Sequence, residues 1–310
     1  MLTLEQISNQ FPLSVRQINP RGILVEYLQY EVLDSLFKDA ASGALSFMGG
    51  TAIRILHNSP RFSEDLDFDN FRLSFEAFEK LLKAACRDME YKGFVIEYRV
   101  VEKGSYHCYI RFPEILQRTG LSPITGEKIL IRIDSEVKAR IYEPDNAFLN
   151  RFGVYRRILA APVKILLARK LLAILYRKRQ MGRDIYDASF LMSLAPVDFD
   201  YIQKMVGLDE TQFMKTFEHK LQKMDLDMLA LDVTPFLFTP QQAERVTTFR
   251  DYWYHMGGER LKVKGERSKV KGERGLTTET RRSLRKKKAL CVLWLPSEIV
   301  FLMFHRGVLW

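Results

Sequence analysis

Three aspartates alternate with two apolar residues in the segment Asp65-Leu-Asp-Phe-Asp69. Because side chains alternate between the two faces of a strand, Asp65, Asp67 and Asp69 are predicted to share one face. Carboxylates at i and i+2 lie roughly 6–7 Å apart and repel each other by about 2.5 kcal/mol at an effective dielectric near 20. A fold tolerates this repulsion when the face is wet or when a cation binds there. Mg²⁺ is the natural candidate, because it takes carboxylate and phosphate oxygens together.

The turn Gly49-Gly50-Thr51 provides a complementary feature upstream of the aspartates. It closes a short apolar run and precedes a helix predicted to begin at Thr51. Glycines let backbone N–H groups approach phosphate oxygens, and the positive end of a helix favours an anion at the same place. Ser63 is predicted to contact phosphate or metal, and Arg61 to bind a phosphate bidentately. The alternatives are a turn serine and a solvated arginine.

The Gly-Gly-Thr turn, the helical turn after it and the pattern Arg-x-Ser-x-Asp-x-Asp occur in this order and close together. In this combination the chain resembles the nucleotidyltransferase toxins of abortive-infection toxin–antitoxin systems (AbiEii/AbiGii-like), a branch of the DNA polymerase β-like superfamily. The resemblance covers residues 20–195 and implies that Gly49, Gly50 and Thr51 hold a nucleoside triphosphate. It also implies that Asp65 and Asp67 hold metal ions. The alternative is an acidic edge strand after a glycine-rich turn.

A third carboxylate is expected from the strand predicted over 128–137, in which every second residue is isoleucine. Asp134 lies on the face opposite the isoleucines, and in the superfamily a third catalytic and metal-binding carboxylate comes from such a strand. Glu136 shares the face and is the second choice. The alternative is that Asp134 forms a structural ion pair with Arg132 or Lys138.

Lys170 falls in the middle of the apolar stripe of the helix predicted over 162–180. A cation there is costly unless it faces a cleft or an anion, and a triphosphate is such an anion. The toxin family has a lysine in a matching helix, commonly after a glutamate, whereas Arg169 precedes it here. The alternative is that the Lys170 side chain extends to the surface.

The segment Gly182-Arg-Asp-Ile-Tyr-Asp187 is similar to a family signature of Arg-Asp followed by Tyr-Asp. The resemblance implies an active-site role for Asp184. Asp187 lies three residues later, so the two carboxylates are predicted to share one face of a helix. The alternative is that Asp184 only caps the helix.

The remaining composition indicates a reduced, cytoplasmic protein. The three cysteines are scattered without metal-ligand spacing, and the N-terminus lacks the features of a secretory signal. None of the five histidines, His107 among them, has ligand spacing. We therefore expect a cytoplasmic protein with no membrane partner.

The net charge of +10 is concentrated near the C-terminus. Residues 259–288 carry a net charge of +9, whereas residues 1–258 carry only +1. The basic segment is a seven-residue repeat with glycine in each unit, which excludes a coiled coil. The apolar run after it contains Pro296 and Glu298 and is too short for a membrane span. We interpret residues 258–310 as a disordered, non-native extension; a basic RNA-binding arm and a tail anchor are the alternatives.

Strand patterns dominate the first half of the chain and helical patterns dominate the second. This order predicts an α+β fold: a nucleotidyltransferase mixed sheet with flanking helices, followed by a C-terminal helical part. The predicted domains are a nucleotidyltransferase core at 1–155, a helical domain that completes the active-site cleft at 156–257, and the tail at 258–310. The predicted strands are 44–48, 65–68, 94–101, 106–112 and 128–137, and the predicted helices are 25–41, 74–91, 162–180, 184–194, 198–206, 210–224 and 240–255.

The resemblance implies a Mg²⁺-dependent nucleotidyltransferase that acts as the toxin of a type IV abortive-infection system in phage defence. Its expected acceptor is RNA, with tRNA as the favoured target, and a separately encoded antitoxin is the expected partner. Transfer to a protein hydroxyl and a nucleotide-binding module without turnover are the alternatives. Cations near the predicted site are expected to contact the RNA, with a solvated helix end as the alternative: Arg151, Arg156, Arg157, 177–179 and Arg183.

Overall fold

The computed structural model describes residues 1–255, and its centre is a seven-stranded mixed sheet. The strands are β1 (Leu45–Met48), β2 (Leu66–Asn70), β3 (Glu97–Lys103), β4 (Ser105–Phe112), β5 (Ile129–Val137), β6 (Asp145–Arg151) and β7 (Val154–Ala160). Their spatial order is β3-β4-β5-β2-β1-β7-β6. The pairs β2–β5 and β1–β7 are parallel, and the other neighbours are antiparallel.

The described part of the chain also contains the α-helices α1 to α12 and a further helical segment at 249–255. The numbered helices are α1 (Leu4–Ser8), α2 (Leu13–Ile18), α3 (Pro20–Leu36), α4 (Gly49–His57), α5 (Phe75–Tyr91), α6 (Ile115–Arg118), α7 (Val163–Tyr176), α8 (Gly182–Met192), α9 (Phe199–Val206), α10 (Glu210–Gln222), α11 (Leu226–Val233) and α12 (Glu244–Thr247). Short 3₁₀ segments span Ala40–Ala44, Thr234–Phe236 and Pro240–Ala243.

The alternation in β5 decides which face of the sheet is buried. Its isoleucines are 0–1% exposed and face α3 and α5, whereas Arg132 and Asp134 lie on the other face. The parallel register of β2 against β5 places Asp67 opposite Asp134. The face that is not covered by α3 and α5 therefore carries the predicted acidic residues of two neighbouring strands.

The predicted α+β architecture is confirmed, and several element boundaries agree closely. Helix α5 begins after Ser74, whose side chain accepts a hydrogen bond from the backbone N–H of Ala77, as its capping pattern indicates. The hairpin of β6 and β7 was not predicted. Most side chains of β6 are polar or exposed, and only Leu149 is buried, so the strand lacks a clear apolar alternation.

The C-terminal helical part begins later than the sequence suggested. The predicted domain boundary at residue 155 falls inside β7, so the sheet extends to Ala160. Helix α7 ends at Tyr176 instead of residue 180, and α8 begins at Gly182 instead of Asp184. Residues Met1–Tyr252 form one unit, so the division into two domains within it stays a prediction.

Two expectations concern the tail and the membrane. The interpretation of residues 258–310 lies outside the described residues. Within residues 1–255, no helix has the length and apolar character needed to cross a membrane.

The assignment of sheet faces makes a stability prediction. Ile131 is fully buried, whereas Leu130, its neighbour on the opposite face, is 46% exposed. Ile131→Ala is expected to lower the free energy of unfolding by about 2–5 kcal/mol, because it leaves a cavity under the sheet. Leu130→Ala should cost less than about 1 kcal/mol. Urea unfolding of both variants measures the difference, and equal losses would contradict this assignment.

Candidate active site

A polar cavity of about 480 Å³ lies on the acidic face of the sheet. It is bordered by the start of α4, the loop before β2, the strands β2, β4 and β5, and the helices α7 and α8. The cavity is lined by most of the predicted site residues, which are Gly49, Gly50, Arg61, Ser63, Asp65, Asp67, Asp134, Lys170 and Asp184. Segments that are far apart in the sequence therefore meet here.

The Gly49-Gly50 turn forms the N-terminus of α4, and no side chain caps it. Gly49 has φ +80°, and a Cβ at this position would lie 2.1 Å from Oδ2 of Asp67. A Cβ at Gly50 would lie 2.8 Å from Oγ of Ser63. Any larger residue at Gly49 or Gly50 would clash with these side chains, so both positions require glycine. The first N–H groups of a helix have no partner within it, so this end of α4 can bind an anion.

The environment of Asp67 disfavours the charged form of its carboxylate. It has no hydrogen-bond or ion-pair partner in the part of the chain that the structure describes. Burial, together with the nearby carboxylates of Asp134 and Asp65, raises its pKa to about 6. Burial also raises the pKa of Asp65, and Asp134 adds to the shift against the opposing effect of Arg132. Raised carboxylate pKa values of this kind are typical of functional sites, including sites that bind a cation.

Arg132 on β5 neutralises the other two carboxylates. Its Nη2 lies 2.7 Å from Oδ2 of Asp65, and its Nε lies 3.0 Å from Oδ2 of Asp134. The ion pair between Asp134 and Arg132, which was the alternative to a catalytic Asp134, is therefore present. Lys138 instead contacts Glu136. Arg132 was not predicted as a residue of the site.

His107 on β4 is a second residue that the sequence analysis did not place in the site. Its Nδ1 lies 2.7 Å from Oδ1 of Asp134, and its Nε2 lies 2.9 Å from Oγ of Ser105. His107 pairs with Asp134 in the β4–β5 register, and this pairing could not be inferred from the spacing of the histidines. The two contacts orient the carboxylate of Asp134.

Lys170 lies at the centre of a buried charge cluster and does not extend to the surface. Its side chain is 14% exposed, and Nζ lies 2.9 Å from an oxygen of Asp184 and 2.9 Å from an oxygen of Asp187. Burial alone would lower the pKa of Lys170, but Asp187 and Asp184 raise it, so the lysine stays charged. The other oxygen of Asp184 accepts a hydrogen bond from Arg177 at 2.6 Å. Asp184 lies in the first turn of α8, and the cap residue is Met181.

The prediction that Arg61 binds phosphate is wrong for this structure. Arg61 is 1% exposed, and its Nε and Nη2 donate to the two oxygens of Asp187, each at 2.6 Å. Its Nη1 donates to the carbonyl of Phe62 at 2.8 Å. Three of the five N–H groups of the guanidinium are therefore engaged inside the protein. A Cβ at Gly50 would lie 2.6 Å from Nη2, so the guanidinium packs closely against the backbone of the Gly49-Gly50 turn.

The Thr51 side chain has a structural contact, and its predicted part in nucleotide binding stays a prediction. Its side chain is fully buried, and its hydroxyl donates to the backbone carbonyl of Asp65. Thr51 therefore holds the chain that leads into β2, and the helix begins at Gly49 instead of Thr51.

The third aspartate of the alternating run is neutralised within the protein. Asp69 is 1% exposed and accepts hydrogen bonds from Arg169 at 2.8 and 2.9 Å and from the Tyr142 hydroxyl at 2.7 Å. Arg169 also donates to the Tyr201 hydroxyl at 2.9 Å. Arg169 occupies the position at which the toxin family commonly has a glutamate. In this protein its role is to neutralise Asp69. Asp69 also borders the cavity, but its carboxylate is engaged by Arg169 and Tyr142, so Asp65 and Asp67 are the members of the run left as candidate metal ligands.

Several of the cations predicted to contact RNA are engaged in ion pairs within the protein. Arg151 binds Glu26, Arg156 binds Asp34 at 2.8 Å, and Arg177 binds Asp184, so all three are engaged in ion pairs. Only Arg177 and Arg183 border the cavity. Of the predicted cations, Arg183 is therefore the one that both borders the cavity and has no ion pair among the described residues.

A divalent metal fits the donor chemistry of the cavity, although the predicted ligand set is not assembled. Among residues 1–255, no three carboxylate, histidine or cysteine side chains are placed to hold one ion. Arg132 contacts Asp65 and Asp134, and His107 contacts the second oxygen of Asp134. The oxygen donors and the unpartnered, buried Asp67 still match a hard cation.

A known protein family matches most of this chain. A family model described as "Nucleotidyl transferase AbiEii toxin, Type IV TA system" matches residues 31–253. The chain belongs to this family. The AbiEii membership shows that the chain is a nucleotidyltransferase of a type IV toxin family, and it implies a nucleoside triphosphate substrate, a divalent metal and a separate antitoxin.

Two solved structures share the fold of this AbiEii family member. JHP933 from Helicobacter pylori is 15% identical with a TM-score of 0.53, covering 81% of this chain and 98% of that one. MenT4, the nucleotidyltransferase toxin Rv2826c from Mycobacterium tuberculosis H37Rv, is 15% identical with a TM-score of 0.51, covering 82% and 90% of the two chains. No curated protein matches this chain. At this identity the likeness shows the fold alone.

The unpartnered Asp67 makes a prediction about pH and stability. Its pKa in the folded state is about 6, above its ordinary value of 3.8, so its ionisation destabilises the fold as the pH rises through 4 to 6. In the absence of divalent metal, Asp67→Asn is expected to raise the free energy of unfolding at pH 7 by about 2–3 kcal/mol. This gain should fall to about 0.5 kcal/mol near pH 4, where the Asp67 side chain is neutral in the folded native protein.

Asp34→Asn is the matched control, with an opposite expected sign. Burial alone would raise the pKa of Asp34, but Lys92 and Arg156 outweigh it and lower the pKa. Asn at this position should therefore reduce stability at pH 7. Urea unfolding with a chelator between pH 4 and 7 compares the variants. If Asp67→Asn were no more stable than the native protein at pH 7, the described electrostatics of the cavity would be wrong.

Proposed function

We propose that the chain transfers a nucleotide from a nucleoside triphosphate to an RNA acceptor, with tRNA as the first candidate and Mg²⁺ as the metal. The observation that supports this most is the convergence of three features in one cavity: an uncapped Gly49-Gly50 helix start, the unpartnered carboxylate of Asp67 next to Asp65 and Asp134, and the buried cation of Lys170. Each feature suits one part of a metal–triphosphate complex.

The triphosphate would bind where backbone N–H groups and positive charge coincide. The N–H groups at the start of α4 bind phosphate oxygens, and the Ser63 hydroxyl beside Gly50 adds a donor. Lys170 has three N–H donors, of which Asp184 and Asp187 occupy two. The third donor is available to a phosphate. Asp184 and Asp187 therefore act as positioning residues that keep Lys170 charged and fixed.

The carboxylates would hold the metal and position the acceptor. Asp65 and Asp67 are the proposed ligands, with Asp134 as the third, and Arg132 neutralises Asp65 and Asp134 until the metal complex replaces it. The bound metal would stabilise charge on the phosphates during displacement of pyrophosphate. Asp134, oriented by His107, would accept a hydrogen bond from the acceptor hydroxyl as it attacks the α-phosphate in line.

A transfer assay tests the proposal. The full chain is incubated with Mg²⁺, total tRNA and each α-³²P-labelled triphosphate in turn. We expect label on tRNA from at least one triphosphate, and loss of transfer with a chelator. The Asp65→Ala/Asp67→Ala variant should lose about 10²–10³-fold or more of the rate, because the metal complex loses two carboxylate ligands.

The control variant Glu79→Ala/Glu90→Ala removes two exposed carboxylates of α5 and should transfer at the native rate. Label on protein instead of tRNA would favour transfer to a protein hydroxyl. Binding of triphosphate without transfer would indicate a nucleotide-binding module. Transfer that persists in the Asp65→Ala/Asp67→Ala variant would overturn the proposed site.

A further inference from the structure

The β3–β4 hairpin carries a basic surface beside the cavity. Arg99, Lys103 and Arg111 point to the face that α3 and α5 do not cover, and they line a groove of about 290 Å³ together with Tyr109 and His107. In the described part of the chain, none of the three cations has an ion-pair partner. We refer to Arg99, Lys103, Tyr109 and Arg111 as the basic hairpin face.

The register of the sheet connects this face directly to the acidic centre. One row across the strands runs from Asp67 on β2 through Asp134 on β5 and His107 on β4 to Val101 on β3. His107 borders both the cavity and the groove. With a strand spacing of about 4.8 Å, β4 lies about 10 Å and β3 about 14 Å from β2. A ligand that extends from the cavity along this row therefore reaches the basic hairpin face.

The next row places an aromatic ring between two arginines. Tyr109 on β4 pairs with Arg99 on β3 and with Arg132 on β5. Arg111 follows on the same face of β4, opposite Glu97, whose carboxylate is already bound by Lys128 at 2.7 Å. Like charges gathered on one face of a sheet repel each other. A partner with several negative charges would offset this repulsion.

We propose that the basic hairpin face binds the phosphates of a single-stranded end of the acceptor RNA and leads its terminal hydroxyl to Asp134 and Asp67; this rests on the proposed function. The unpaired cations bind backbone phosphates, and Tyr109 offers a ring on which a base stacks. An acidic peptide has charge but no base for the ring. β3 is an edge strand, so the RNA can continue beyond the sheet.

The experiment compares two charge-matched variants of the full chain, so that the basic C-terminal segment is the same in every protein. Arg99→Gln/Arg111→Gln removes two cations from the basic hairpin face. Lys80→Gln/Lys83→Gln removes two exposed cations from α5, on the opposite side of the sheet. The probe is a short, mixed-sequence, single-stranded RNA, and its affinity is measured across salt concentrations from about 50 to 200 mM.

We expect the slope of log affinity against log salt to fall by about 1.4 in Arg99→Gln/Arg111→Gln, because two phosphate contacts are lost at about 0.7 each. In the transfer assay the KM for RNA should rise several-fold, while the KM for the triphosphate stays the same. Lys80→Gln/Lys83→Gln should match the native protein in both measurements.

The outcomes separate this inference from the proposed function. If RNA is modified but Arg99→Gln/Arg111→Gln behaves like the native protein, the basic hairpin face is not the RNA surface. If both double variants weaken binding equally, the contact is only general charge attraction and the inference fails. If label moves to protein and the hairpin variant reduces that transfer, the face binds a protein acceptor and the RNA assignment is overturned. Absence of any transfer would count against the proposed function, while the RNA-binding comparison still decides the surface.

Discussion

The carboxylate of Asp187 joins the segments that form the cavity. It is fully buried, and its oxygens bind two nitrogens of Arg61 at 2.6 Å and Nζ of Lys170 at 2.9 Å. Burial alone would raise the pKa of Asp187, but Arg61 and Lys170 lower it, so the carboxylate stays ionised. Removing one partner of such a buried group typically costs about 3–5 kcal/mol. Through Asp187, the turn at Gly50, the loop before β2 and the helices α7 and α8 keep a fixed geometry.

The face of the sheet that α3 and α5 do not cover has an acidic region and a basic region. Asp67 on β2, Asp134 on β5 and Asp65 just before β2 lie together on this face. Arg132 contacts Asp65 and Asp134, whereas Asp67 has no ion-pair partner among the described residues. The strands at one edge, β3 and β4, carry the unpaired cations of the basic hairpin face. A metal–triphosphate complex suits the first region and a polyanion suits the second. Because like charges repel within each region, this arrangement lowers the stability of the free protein, as is common at functional sites.

Local patterns made much of the fold and of the site predictable. The alternation in β5 and the cap of α5 depend on neighbouring residues, and both were placed correctly by sequence. The Gly-Gly pair was located at a helix start, although the helix begins two residues earlier than predicted. Arg61 was misassigned because its partner, Asp187, lies far along the chain, and no local pattern connects them. His107 and Arg132 entered the site through the pairing of β4, β5 and β2, which spacing alone does not reveal. The β6–β7 hairpin was missed because few of its residues are buried.

The most direct test of the account is a crystal structure of the full chain with Mg²⁺ and a non-hydrolysable triphosphate. The account predicts the phosphates at the N-terminus of α4, in contact with Lys170, and the metal on Asp65 and Asp67. It also predicts that Arg132 no longer bridges Asp65 and Asp134. A triphosphate bound elsewhere, or bound at α4 with the metal away from Asp65 and Asp67, would contradict it.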